Sequence, residues 1–145
     1  MTVQTDVIHS RNPATEDVLE EVPVTDPERV RRIIRQAKDA QPDWTEVPLP
    51  QREEFLRSAA DTLENNANEI AQNLTKEQGK PLPESRGEIR TAVERTRYFC
   101  DQADDVLESK SRNVNENLTG HVERRPRGLI AAIKPWNFPV NIPLW

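Results

Sequence analysis

Val30, Ile33, Ile34 and Ala37 recur at the i, i+3, i+4, i+7 spacing of one helix face, and Arg31, Arg32, Arg35 and Lys38 occupy most of the rest of the circumference. This pattern predicts a first helix. Its start is marked either by Thr25 with Glu28 as a capping box or by Asp26 as N-cap with Pro27 at the first helical position, and Pro42 is expected to end it. A second helix is expected from about Gln51 to about Gln78, with Phe55, Leu56, Ala59, Leu63, Ala67, Ile70 and Leu74 on its stripe and Gly79 followed by Pro81 as its stop. The first two helices should pack as an antiparallel pair. A third helix, from about Pro83 to Leu107, carries Ile89, Val93, Phe99 or Cys100, Ala103 and Val106 on its buried side.

The period is different at the two ends of the chain. Near the start, the turn formers Asn12, Pro13, Thr15 and Asp17 precede "VLEEVPV", which reads as a short exposed strand confined to a sheet edge by its proline. After the third helix, "ESKSRNVNENLTG" is polar and asparagine-rich and reads as a surface connection. An exposed strand from roughly Leu118 to Arg125 should follow, then an apolar strand at Leu129 to Ile133. Without polar alternation, the second fits a parallel sheet covered on both faces, and such a sheet needs more strands than this chain holds.

Apolar residues make up 34% of the 145 positions and charged residues 31%, and the longest strictly apolar run is Leu129 to Ile133, so no membrane span is expected. The opening "MTVQTDVIHS" has neither a basic nor an apolar segment of a secretory signal, which points to a cytoplasmic location. A net charge of −5 argues against a nucleic-acid partner, because phosphates call for a basic face and "ERRPR" is short and contains an acid. One cysteine and two distant histidines, His9 and His121, give no metal-ligand spacing. Cys100 lies on the third helix's stripe and reads as a small core residue rather than a nucleophile. The four glycines, at 79, 87, 120 and 128, form no phosphate-binding loop.

Candidate chemistry is concentrated at the end of the apolar strand, where Pro135 and Pro139 bracket a turn containing Asn137. Open α/β sheets bind ligands just beyond the carboxyl ends of their strands. A rigidly held asparagine amide there can donate to a carbonyl oxygen and stabilise the charge that develops on it during nucleophilic attack. The plainer alternative is that Asn137 caps its own turn.

The motif "PWNFP", preceded by "GLIAAIK" and "RRPRG", with "EQGKP" some fifty residues upstream, closely resembles the aldehyde dehydrogenase superfamily. "NPATED", the helix end near "PDW" and "SRGEI" occur in that family's order, so the resemblance covers Asn12 to Trp145. It implies an α/β fold: the N-terminal part of the aldehyde dehydrogenase fold, helices plus the first strands of a Rossmann-like NAD(P)-binding domain. Residues 1–145 are then a truncated piece of that domain, with 117–126 an oligomerisation-type strand and the catalytic domain absent. The resemblance makes Asn137 part of the oxyanion hole and places Ile133, Pro135 and Trp136 against NAD or NADP. Lys134 stands where many members have serine or threonine. The family's nucleophilic cysteine and general-base glutamate would lie beyond Trp145, itself expected to fall within a helix.

The implied function is NAD(P)-dependent oxidation of an aldehyde to the carboxylic acid, with semialdehydes such as succinate semialdehyde as the favoured substrates and a homo-oligomer as the complete protein. This chain alone is expected to be inactive. Two other readings remain open: a non-catalytic relic or interaction module that docks with a separately encoded remainder, and a helical binding domain unrelated to the family.

Overall fold

The computed structural model describes residues 6–144, so Met1–Thr5 and the expected helical setting of Trp145 lie outside the described residues. Strands β1 (Val7–Arg11) and β2 (Val18–Pro23) form an antiparallel hairpin with an irregularity between Ser10 and Arg11. Only β2 was expected. In the connecting loop Asn12 Oδ1 accepts from Ala14 N at 2.9 Å, and the Asn12 and Asp17 main chains pair at 2.9 Å. This local bonding tolerates Glu16 at a φ of 62°, a backbone conformation uncommon for a side-chain-bearing residue.

Helix α1 (Pro27–Glu46) starts as the second of the two predicted signals proposed, with Asp26 Oδ1 accepting from Arg29 N at 2.8 Å. It does not stop at Pro42. A proline removes one donor and crowds the preceding turn, but Gln41 Nε2 donates to Thr45 Oγ1 at 2.7 Å and the Trp44 and Phe55 rings meet at 6.0 Å, which carries the helix past it. The expected pairing of α1 with the next helix is also corrected. No residue of α1 is buried, and Val30, Ile33 and Ile34 are each more than two-fifths exposed.

The long second helix is two helices, α2 (Leu49–Asn65) and α3 (Ala67–Gln78), separated at Asn66, whose backbone leaves the helical region and whose Nδ2 donates to Thr62 O at 2.8 Å. Asparagine competes with helical bonding through such local contacts. Gly79 ends α3 in the left-handed conformation at φ 70°, with its N–H donating to Thr75 O at 2.9 Å. Helix α4 (Leu82–Leu107) then packs across both α2 and α3.

The core is this three-helix contact. Ala60, Ala71, Leu74, Ile89, Ala92, Val93 and Cys100 are buried in it, and small residues let the helices approach closely. Phe55, Leu56 and Val106, expected inside, are exposed, because the buried line on α2 runs through Ala60 rather than Ala59 and on α4 through Thr96 and Cys100; of the two alternatives Phe99 or Cys100, it is Cys100 that is buried. Two of the buried hydroxyls are paired, Ser85 with Thr75 at 2.9 Å and Thr96 with Ala92 O at 2.9 Å, whereas Arg52 Nε and Glu53 Oε1 are buried without a hydrogen-bond partner among the described residues. Outside this contact Arg97 bridges α4 to Asp61 and Glu64 of α2 at 2.7 and 2.6 Å.

Strands β3 (Lys110–Asn115) and β4 (Leu118–Val122) form a second antiparallel hairpin. The segment read as a surface connection therefore contains a strand, its polar residues fitting a ribbon exposed on both faces. The expected apolar strand at Leu129 to Ile133 is absent from the described residues: Ile130 is 72% exposed and Ile133 is 97% exposed. A strand needs a hydrogen-bonded neighbour, and neither hairpin supplies one. The chain closes with a 3-10 turn at Ile142–Leu144.

Ile89→Ala is expected to destabilise the chain by about 2–5 kcal/mol, read as a lower midpoint in urea. Ile33→Ala should change stability by less than about 0.5 kcal/mol. Equal losses would show that the α1 face is covered in solution.

Candidate functional site

Lys80 follows the glycine that ends α3, and Glu88 lies on the first buried line of α4, eight residues later. Their side chains are 13% and 0% exposed, and Lys80 Nζ sits 2.5 Å from Glu88 Oε2. The Lys80 Nζ also donates to Asn137 O at 2.8 Å and lies 4.4 Å from the centre of the Phe138 ring. The other Glu88 oxygen, Oε1, accepts from Val140 N at 2.9 Å and Asn141 N at 3.1 Å. Gln78, the last residue of α3, donates from Nε2 to Trp136 O at 2.6 Å.

Three side chains from the α3–α4 junction thus hold the main chain of the Pro135 to Pro139 turn at Trp136 and Asn137, and of the residues just after it at Val140 and Asn141. Within the turn Ile142 N donates to Phe138 O at 3.1 Å, so the segment leads straight into the closing 3-10 turn. The lead-in loop reaches the same junction: a Cβ on Gly79 would come within 3.1 Å of Pro13 Cγ. Residues from four separate stretches meet here.

Asn137 is exposed, and its side chain makes no hydrogen bond among the described residues. It does not cap its own turn. Trp136 is 80% exposed, and residues 129–135 form no hydrogen bond among the described residues. Ile133, Pro135 and Trp136 therefore present exposed surface beside main-chain groups of residues 129–135 that make no hydrogen bond among the described residues. The sequence reading placed Asn137 and its neighbours in one turn but assigned no role to Gln78, Lys80 or Glu88. The available signal was a lysine and a glutamate straddling a helix start within "EQGKP" and "SRGEI".

Cys100 stands apart from this turn. It is buried, its Sγ lies 3.8 Å from Glu53 O, and burial pushes the thiol above its ordinary range against the opposing field of Arg57. Among the described residues no group of three or more His, Cys, Asp or Glu is placed to hold a metal ion, and no helix is long and apolar enough to cross a membrane.

A model of the aldehyde dehydrogenase family matches residues 1–145. The chain is 40% identical over 132 residues to the 3,6-anhydro-α-L-galactose dehydrogenase of Vibrio sp. (strain EJY3), covering 88% of this chain and 27% of that protein. It is 33% identical over 134 residues to the malonate-semialdehyde dehydrogenase of Bacillus cytotoxicus, covering 92% of this chain and 28% of that one. Among solved structures, the NADP-dependent glyceraldehyde-3-phosphate dehydrogenase from Bacillus halodurans C-125, complexed with NADP, superimposes with a TM-score of 0.88 at 30% identity over 96% of this chain and 30% of that one. The chain spans less than a third of the length of these relatives.

Lys80→Met is expected to cost about 3–5 kcal/mol, because it strands a buried carboxylate. Lys80→Met with Glu88→Gln should be more stable than Lys80→Met alone, since the Gln carbonyl can still accept from Val140 and Asn141; a double variant no better than the single would refute the pairing. For Cys100, the rate of alkylation by iodoacetamide followed from roughly pH 7 to 11 should have a midpoint at higher pH in the native than in the urea-unfolded chain, because the thiolate is the reacting form and burial raises the native thiol. Coincident curves would show an exposed thiol.

Proposed function

We propose, since the chain belongs to the aldehyde dehydrogenase family, that it supplies the oxyanion donor and one wall of the cofactor cleft to an NAD(P)-dependent oxidation of an aldehyde to its carboxylic acid. The observation that carries this reading is Asn137, whose main chain is fixed by Lys80 while its amide is left open and unpaired. An amide in that condition can donate to the aldehyde oxygen as negative charge builds on it, with little reorganisation at the moment of reaction. The nucleophile and the general base come from residues beyond this chain. Cys100 is buried in the helical core and is not that nucleophile.

Ile133, Pro135 and Trp136 would hold the nicotinamide side of NAD or NADP through main-chain groups and apolar faces. The bound nucleotide supplies the hydride acceptor. Semialdehydes such as succinate semialdehyde are the substrate class we favour, a choice supported by the semialdehyde activity in the name of the Bacillus cytotoxicus relative. The β3–β4 hairpin, with Val114, Leu118 and Val122 exposed, is proposed as the subunit-pairing element of a cytoplasmic homo-oligomer. Docking with a separately encoded remainder is a second reading, favoured by the uncovered apolar face of α1. Co-purification of the chain with an aldehyde dehydrogenase remainder from its own host would support that reading.

The test joins this chain in frame to the remaining length of the Vibrio relative and follows cofactor reduction with a panel of short aldehydes and semialdehydes. Asn137→Ala should lower kcat by about 10²–10³ with a smaller change in KM. Unchanged kcat would remove Asn137 from the oxyanion role.

A further inference from the structure

The contacts on Glu88 and Lys80 are unusual in what they hold. A buried carboxylate commonly closes on one partner, but here the two oxygens are divided between partners. Oε2 meets the ammonium of Lys80, and Oε1 meets two consecutive main-chain N–H groups. Lys80 in turn commits a donor to the carbonyl of Asn137 itself. The main chain is therefore fixed at Asn137 and again three and four residues later. Between the two fixed points the Phe138 ring lies 4.4 Å from the ammonium, a further contact on the turn. With the Asn137 carbonyl committed to Lys80, the remaining freedom of its amide is its own two side-chain torsions.

We propose that Lys80 and Glu88 are positioning residues for Asn137, acting through the main chain of the turn and touching neither aldehyde nor cofactor. This rests on Asn137 being the oxyanion donor. The warrant is geometric: donors stabilise a developing charge only if held where the oxygen will be, and a displacement of about 1 Å can cost on the order of 10²-fold in rate. Gln78, donating to Trp136 O, steadies the same peptide stretch from the other side.

The first measurement needs only the chain itself. Amide exchange at Val140 and Asn141 should be slowed by roughly tenfold or more relative to an unstructured peptide, and Lys80→Met with Glu88→Ala, which leaves no lone buried charge, should abolish that protection while the α2 and α4 amides stay protected. Unprotected amides in the unaltered chain would overturn the inference without bearing on the proposed reaction.

The second measurement is a kinetic cycle in the full-length enzyme made with the Vibrio remainder, using 3,6-anhydro-L-galactose as substrate. The compensated variant Lys80→Met with Glu88→Gln avoids leaving a lone buried charge. It should lower kcat by about 10–100-fold with KM changed by less than about threefold. Adding Asn137→Ala to it should give a kcat within about twofold of Asn137→Ala alone, because the clamp has nothing left to position. Losses that multiply, or a raised KM at unchanged kcat, would overturn the positioning role. Loss of activity in the clamp variant with full activity in Asn137→Ala would instead overturn the oxyanion reading of Asn137.

Discussion

The buried ion pair between Lys80 and Glu88 is the contact on which the docking of the turn around Asn137 depends. Removing two charges from water costs several kcal/mol per ion, and their attraction offsets that cost only when the remaining donors and acceptors are also used. That condition is met here. The ammonium reaches a carbonyl and an aromatic face, and the second carboxylate oxygen takes two N–H groups. An apolar pair of the same volume could fill the space with less desolvation, but it could not hold main-chain groups of a turn in a fixed orientation. The pair is better understood as a device for geometry than as a source of stability.

Its placement follows from the helix ends around it. Gly79 in the left-handed conformation turns the chain sharply enough that Lys80 faces α4 rather than continuing α3, and the close approach of Pro13 leaves little room for a side chain at that glycine. Pro81 and Pro83 then start α4 without needing amide donors, so Glu88 arrives early in the helix, opposite Lys80. The stretches "NPATED", "EQGKP", "SRGEI" and "PWNFP" look like separate signatures in the sequence. In space Pro13, Gly79, Lys80, Glu88 and Asn137 belong to one junction.

This accounts for what was legible in the sequence. The period of 3.6 located the helical stretches, Asp26 and Gly79 marked their ends as capping chemistry requires, and the bracketing prolines drew attention to Asn137. The break at Asn66 has a local cause, the bond from its side-chain amide to Thr62 O, that the helical period masked, whereas the passage through Pro42 is accompanied by the contact of Trp44 with Phe55, which local preference does not show. The face of α2 was misjudged by one residue because Ala59 and Ala60 are equally apolar, and only the position of α4 decides between them. Glu88 escaped notice for a related reason: a charged residue next to an isoleucine on a helix reads as a solvated position until a cation is brought to it.

The remaining discrepancy, a strand expected at Leu129 to Ile133 and not formed, separates two kinds of structure. A helix satisfies its own main chain, so α1 exists with its apolar stripe uncovered. A hairpin finds its partner a few residues away, as β1 with β2 and β3 with β4 do. A parallel strand can do neither; its neighbours come only from crossovers that bring distant segments alongside it. The turn after it is nevertheless docked, by contacts that span more than fifty residues of sequence. Side chains at the α3–α4 junction therefore hold the main chain of this turn without a strand neighbour among the described residues.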